Sequence, residues 1–192
     1  RGYASMIPRV GNLNSQQMEF VERIVHNVEH VSGLLDNLVD LNSIELGEGA
    51  TLERCSVAGA IEAALASLRL EIEKREHSVR LSLPQSPPLV DADRNLLIRA
   101  LTCLIDNAAK YMANGGTVAI EVRHEDEGIL VVVADDGIGI APADQVRVFD
   151  RFYRVEQTEM QSVPGYGLGL PIIKAIAEWH GGRVWMESEL GH

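Results

Sequence analysis

Residues 101–111 read Leu101-Thr102-Cys103-Leu104-Ile105-Asp106-Asn107-Ala108-Ala109-Lys110-Tyr111. The stretch is apolar at helical spacing until Asp106, Asn107, Lys110 and Tyr111 bring polar groups into it. Asn107 and Lys110 stand three apart and so share a helix face. An amide oxygen and an ammonium on one face suit a magnesium-bound polyphosphate, the oxygen on the metal and the cation on a phosphate. The plainer reading is a solvated face near a helix end.

Working outward, Asp93 caps this helix, which is expected from Arg94 to about Met112. Two strands follow, Thr117–Arg123 and Ile129–Ala134, joined by the acidic turn Glu125-Asp126-Glu127-Gly128. Asp135-Asp136-Gly137-Ile138-Gly139 comes directly after the apolar run Leu130-Val131-Val132-Val133. A carboxylate at a strand end takes a donor partner, either its own turn or the exocyclic amine of a base. Residues 146–153 read as a short helical piece and 155–164 as irregular. The final helix is Leu168–Trp179, with Pro171 in its first turn and Gly181-Gly182 ending it, followed by a strand over Arg183–Glu187. Gly165, Gly167 and Gly169 lie around the start of that helix, whose N-terminal amides and dipole offer an anion site. Neither glycine cluster completes GxGxxG, and no GxxxxGK[ST] occurs, which disfavours Rossmann and Walker chemistry.

Upstream, Val57–Arg75 is helical with Ile61, Leu65, Leu68 and Ile72 on one face, and Ser78–Leu83 alternates as a strand. Gly47-Glu48-Gly49 is the expected boundary, dividing a helical segment, 1–47, from a mixed domain, 48–192. In the first segment Val21, Ile24, Val28, Val31, Leu35 and Leu38 alternate at three and four, a bundle seam on a helix from Ser15 to Ile44. Helices and antiparallel strands without βαβ regularity indicate an α+β, two-layer sandwich preceded by one long helix.

The 192 residues carry 28 acidic and 17 basic side chains, a formal charge of −11, which argues against coating nucleic acid or an anionic membrane. Apolar residues at 46% exclude a wholly disordered chain. Cys55 and Cys103 form no CxxC pair, so a reducing cytosol is the expected compartment. No apolar run approaches the roughly 20 residues of a membrane span.

These segments, in this order, resemble the boxes of sensor histidine kinases from two-component systems. Leu101–Tyr111 is similar to their N box, Asp135-Asp136-Gly137-Ile138-Gly139-Ile140 to the first glycine box, and Val148-Phe149-Asp150-Arg151-Phe152-Tyr153-Arg154 to the F box. Gly165-Tyr166-Gly167-Leu168-Gly169-Leu170 resembles the second glycine box, and the Ser15–Ile44 helix the second helix of the dimerisation hairpin. The resemblance implies an ATP-binding fold shared with type II topoisomerases and some heat-shock chaperones. It implies that Asp135 accepts from the adenine amine, that Gly137 and Gly139 admit the base, and that Asn107 ligates Mg²⁺. Lys110 and Tyr111 would lie near the phosphates or ribose. Residues 155–164 would form the ATP lid, hinged by Gly165, Gly167 and Gly169 with Leu168 and Leu170 between and after them, and Phe149 and Phe152 would pack under it. The implied partners are ATP, a response-regulator receiver domain and a second copy through the N-terminal helix, with a membrane reached only through parts outside this chain.

The chain departs from the pattern in three places. Cys103 stands where the family usually has asparagine, and Tyr166 where serine or threonine is common. The phosphoacceptor stretch H-[ED]-x-x-x-P matches none of the six histidines, His26, His30, His77, His124, His180 and His192. The expectation is therefore a kinase core cut just after its acceptor and before its last strand, unable to phosphorylate itself. The alternative is a degenerate, non-catalytic nucleotide-binding module. The spacing of His26 and His30 suggests a metal pair or, more plainly, exposed bundle residues.

Overall fold

The computed structural model describes residues 7, 11, 13–47, 49–125, 128–155 and 165–191. It divides into two compact units, Arg1–Asn42 and Ser43–His192. The first is dominated by helix α1 (Ser15–Leu46), whose last turn runs into the second unit. Asn14 opens it: its side-chain oxygen accepts from the Gln17 N–H at 2.9 Å while Gln17 returns a bond to the Asn14 N–H at 3.0 Å. Phe20, Ile24, Val31, Leu35 and Val39 are all about half exposed or more, between 49% and 64%. Among the described residues no helix is long and apolar enough to cross a membrane.

The second unit carries strand β1 (Glu53–Ser56), helix α2 (Val57–Lys74), strands β2 (Ser78–Ser82) and β3 (Leu89–Ala92), helix α3 (Arg94–Lys110), strands β4 (Thr117–Glu125) and β5 (Gly128–Asp135), and helices α4 (Pro142–Gln145) and α5 (Gly169–Trp179). The main sheet has the order β2-β4-β5: β4 pairs in parallel with β2 and antiparallel with β5. The parallel pair requires a crossover, and α3 lies within it. Val118, Ile120 and Val122 of β4 point every second residue into a core they share with Ile61 and Ala64 of α2 and Leu101 and Ile105 of α3. Helices α2 and α5 both pack on α3, so α3 is the central helix of its layer. Leu168, Ile172, Ile173 and Ile176 bury the inner side of α5. The two-layer α+β architecture expected from the sequence is the one observed.

Strands β1 and β3 form a separate antiparallel ribbon, pairing Cys55 with Val90. Each is four residues long, ERCS and LVDA, too short for alternation to mark it. The expected strand over Arg183–Glu187 is not formed: residues 182–189 carry no ladder pairing. Polar bonds of this segment run instead to the loop after β5, through Ser188. The expected helical piece at 146–153 is also corrected. The helix lies earlier, at Pro142–Gln145, where Pro142 occupies the first turn, and turns follow it.

Candidate functional site

Helix α3 is anchored at both ends. At its start Asp93 Oδ1 accepts from the N–H groups of Asn95 and Leu96, at 2.9 and 3.0 Å, and Oδ2 accepts from Thr51 N–H at 2.9 Å. The Asp93 N–H in turn donates to His180 Nε2 at 3.0 Å. His180 therefore carries its proton on Nδ1, which donates to the Ile176 carbonyl at 2.8 Å and ties the end of α5 to the start of α3. Desolvation raises the Asp93 carboxyl, but the three backbone donors outweigh it and leave it below the ordinary carboxylate range. At the other end Arg75 donates to the carbonyls of Ala109 and Lys110, and buried His77 meets the Ala109 carbonyl at 3.0 Å.

The polar face read from the sequence sits on the last turns of α3. Lys110 Nζ binds Asp106 Oδ2 at 2.5 Å, so its ammonium is already paired. Asn107 is half-buried against the first residue of α5: a Cβ on Gly169 would lie 3.4 Å from Asn107 Nδ2 and 3.6 Å from Oδ1. Leu168 caps α5 without any side-chain hydrogen bond, and no acidic residue lies in its first turn. The helix thus presents uncapped N–H groups and its positive end beside an amide side chain. Gly167 takes φ +66, and its backbone meets the F-box segment so closely that a Cβ would fall 2.6 Å from the Tyr153 carbonyl oxygen. The Phe152 N–H donates to the Gly167 carbonyl at 2.9 Å, with Phe152 itself at φ 66 and half exposed.

Asp135 ends β5, and its Oδ1 accepts from the Gly137 N–H at 3.0 Å. Desolvation, then the neighbouring Asp136 carboxylate, push its carboxyl above the usual range against that bond. A Cβ on Gly137 would stand 2.7 Å from the Tyr111 carbonyl oxygen, and the Ile138 N–H donates to that same carbonyl at 3.2 Å. The end of the N box and the first glycine box are therefore in backbone contact.

Asn107 and Gly169 thus meet on one side of α3, and Tyr111 meets Gly137 and Ile138 at its end. Lys110 turns to Asp106. Gly165, Tyr166 and Leu170 are half-buried beside the start of α5, while residues 156–164, most of the expected lid, fall outside the described residues. Phe149 is half-buried; Phe152 faces outward. Cys103 lies half-buried on α3 with desolvation raising its thiol pKa. Among the described residues no group of three His, Cys, Asp or Glu side chains could hold a metal ion, so His26 and His30 gain no third ligand. The sequence offers no sign of Gln145 and Ser188, which bracket the first glycine box, nor of the Glu45 partner of the F-box residue Arg151. A glutamine just after a helix-starting Pro-Ala-Asp carries no chemical signature by itself.

A neutral amide oxygen beside a helix N-terminus that has no side-chain cap fits one ligand position of Mg²⁺, an ion that takes few protein ligands and leaves the rest to phosphates and waters.

Residues 92–192 match the family described as histidine kinase-, DNA gyrase B- and HSP90-like ATPase. The histidine protein kinase DivJ of Caulobacter vibrioides is 34% identical over 183 residues, covering 94% of this chain and 30% of the relative. Drug sensory protein A of Synechocystis is 31% identical, covering 92% of this chain and 28% of that protein, so the chain spans less than a third of either. Among solved structures, the mycobacterial sensor histidine kinase MprB is 32% identical with TM-score 0.58, covering 68% of this chain and 81% of that one. Full-length ShkA, solved in complex with AMPPNP, shares the fold with TM-score 0.77 at 24% identity, over 99% of this chain and 39% of its own. With the N box on α3, the first glycine box in backbone contact with its end, and the second glycine box, met by the F box, at the start of α5, this chain belongs to the histidine kinases, and its residues 92–192 match the ATP-binding domain of that family.

Proposed function

We propose that the Ser43–His192 unit binds Mg-ATP between α3 and the start of α5 and presents the γ-phosphoryl group to a histidine outside this chain, for onward transfer to a response-regulator aspartate. The observation that carries the reading is the placement of Asn107 against Gly169 at an uncapped helix N-terminus. Free N–H groups at that end bind phosphate oxygens, and Asn107 supplies the metal oxygen. The ion, when bound, supplies charge neutralisation at the phosphates. Tyr111 lies nearby at the end of the helix, and Lys110 reaches the phosphates by exchanging its Asp106 partner for a phosphate oxygen. Asp135 offers Oδ2 to the adenine amine while Oδ1 holds the turn, and Gly137 and Gly139 let the loop beside the base pack against the Tyr111 and Glu189 carbonyls. Gly165, Gly167 and Gly169, with Leu168 and Leu170, form the hinge of the lid. Catalysis of this kind is positioning and electrostatics, with little covalent work by the domain.

Calorimetry with the unmodified chain tests the site. ATP with Mg²⁺ should bind, and Asn107→Ala should weaken Mg-ATP far more than ATP in EDTA. An equal loss in both conditions would leave Asn107 holding the fold alone. The chain given γ-labelled ATP should acquire no acid-labile label, and a supplied helical hairpin with an intact acceptor histidine should acquire it.

The rival reading, a nucleotide-binding module without transfer, draws on Cys103 in place of a polar side chain and on Lys110 being occupied by Asp106. ATP binding with no label on the supplied hairpin would favour it. For the Arg1–Asn42 unit we propose self-association along α1. Phe20, Ile24, Val31 and Leu35 expose more apolar surface than one helix keeps in water. Leu35→Glu should then shift light scattering from dimer to monomer.

A further inference from the structure

The loop after β5 is held from outside itself. All four backbone polar groups of Ile138 and Ile140 find partners. The Ile138 N–H donates to the Tyr111 carbonyl, and the Ile138 carbonyl accepts from the Gly191 N–H at 2.9 Å. The Ile140 N–H donates to Ser188 Oγ at 2.9 Å, and the Ile140 carbonyl accepts from Gln145 Nε2 at 2.7 Å. The same Gln145 nitrogen donates its second proton to the Ser188 carbonyl at 2.8 Å. Between them Gly139 sits at φ +69 with the Glu189 carbonyl oxygen where a side chain would begin, 1.8 Å from an ideal Cβ.

One glutamine amide therefore joins the glycine loop to the chain that follows α5, and the Ser188 hydroxyl closes the same junction. A loop so short has few bonds of its own. Its position relative to Asp135 depends on what backs it, and a base-binding loop displaced by an ångström loses much of its contact. Gln145 and Ser188 are both half-buried, so water can replace their bonds in a variant without unfolding the core.

We propose that Gln145 and Ser188 are positioning residues of the nucleotide site: together they clamp residues 138–140 between the end of the N-box helix and the 188–191 segment, and so set the plane that receives the base. This rests on the ATP-site reading above. Neither residue touches the nucleotide.

The test uses the full chain and compares Gln145→Ala, Gln145→Glu, Ser188→Ala and Ser188→Thr. Gln145→Glu keeps the shape but has no donor, and it sets a carboxylate against two carbonyls. Ser188→Thr keeps the hydroxyl. Three quantities are read: amide hydrogen exchange at residues 138–140 and Gly191, affinity for ATP and for GTP, and the midpoint of thermal unfolding. For Gln145→Ala, Gln145→Glu and Ser188→Ala, exchange at Ile140 should quicken. ATP affinity should fall about tenfold, the worth of one or two lost hydrogen bonds, and the preference for ATP over GTP should narrow. The unfolding midpoint should stay within a few degrees, and Ser188→Thr should behave as the unmodified chain. A narrowed base preference is the part that a merely structural role would not produce. Unchanged exchange at Ile140 would remove the clamp. Faster exchange with ATP binding undiminished would remove its role in the site. If the unmodified chain takes up no ATP, the nucleotide reading falls and the positioning claim with it; if it binds ATP and the variants bind equally well, only the positioning claim falls.

Discussion

The two glycine boxes use the same residue for opposite purposes. At the first, the absent side chain is filled by the protein: Gly139 leaves room for the Glu189 carbonyl, and Gly137 for the Tyr111 carbonyl. At Gly169 of the second, the nearest atoms among the described residues are those of the Asn107 side chain, at ordinary contact distance, and the adjoining helix end has no side-chain cap. One box is closed by backbone, and among the described residues part of the other faces only a polar side chain. Gly167 belongs with the first kind, since Tyr153 and Phe152 backbone fills its side-chain space. Glycine spacing alone does not separate these cases, because it records where a Cβ is missing and not what took its place.

The sharpest way to break that contrast is a pair of alanines. Gly139→Ala sets a Cβ against a backbone carbonyl and asks a left-handed φ of alanine, so it should lose about 3 kcal/mol or more. Gly169→Ala meets only a side chain that can give way, at a φ alanine accepts, and should change stability by less than about 0.5 kcal/mol. Its effect should appear in Mg-ATP affinity instead. Denaturant titration of both variants checks this, and equal losses would dissolve the distinction between closed and open boxes.

The carboxylate preceding the closed box is next. If Asp135 accepts from adenine, guanine presents a carbonyl there, acceptor against acceptor. A charge-assisted bond is worth about 1.5–3 kcal/mol, so ATP should be preferred over GTP by about tenfold, and Asp135→Ala should erase most of that. Competition binding with the two nucleotides measures it. Equal affinities in the unmodified chain would leave Asp135 as a turn residue only.

How far the sequence foretold these differences depends on which contacts are local. The α3 cap, the β4–β5 hairpin and the periodicity of α2 were legible, because Asp93, the alternation of Val118, Ile120 and Val122, and Ile61 through Ile72 act within a few residues. The ribbon of β1 and β3 was not. Its pairing joins residues some three dozen positions apart, Glu53 with Ala92, and its strands are too short for a pattern. The segment after α5 failed in the opposite sense. Val184 and Met186 alternate with exposed neighbours as a strand would, yet the segment's side-chain partners lie on the loop after β5 and no ladder forms. At the site, chemistry-bearing types such as Asn107 and Asp135 stood out; Gln145 and Ser188 did not, since their roles exist only once distant segments meet.

The two ends of α3 extend the comparison to titration. Asp93 at the start is fully engaged by Thr51, Asn95 and Leu96, and its folded pKa is depressed. Its stabilisation is present above the ordinary aspartate value and is lost as pH falls through the depressed one. Asp93→Ala should cost about 1–2 kcal/mol at neutral pH, the usual worth of an N-cap, and somewhat more if the Thr51 link fails too. The difference between the two chains should shrink as pH falls from the ordinary aspartate value through the depressed one. A constant difference across the acid range would mean that the cap acts through shape and not charge.

Asp135 carries the opposite sign, and the smallest effect. Its folded pKa is raised, so the folded chain binds that proton more tightly than the unfolded one. The resulting penalty is absent below the ordinary aspartate value, grows as pH rises through the window up to the raised value, and is complete above it. Asp135→Asn keeps an oxygen for the Gly137 N–H and removes the charge that desolvation and Asp136 disfavour. Without nucleotide, the variant should be slightly more stable than the unmodified chain at pH 7 and no more stable at pH 3. Asp135 sits at an exposed strand end, where solvent screens much of the repulsion, so the gain is a fraction of what a buried charge would give. With ATP present the order should reverse at pH 7, because the oxygen that burdens the empty fold is the one offered to the adenine amine. Thermal unfolding at both pH values, with and without ATP, reads the crossing; a variant less stable than the unmodified chain in all four conditions would make Asp135 a structural turn residue, with no strain held for a ligand to relieve.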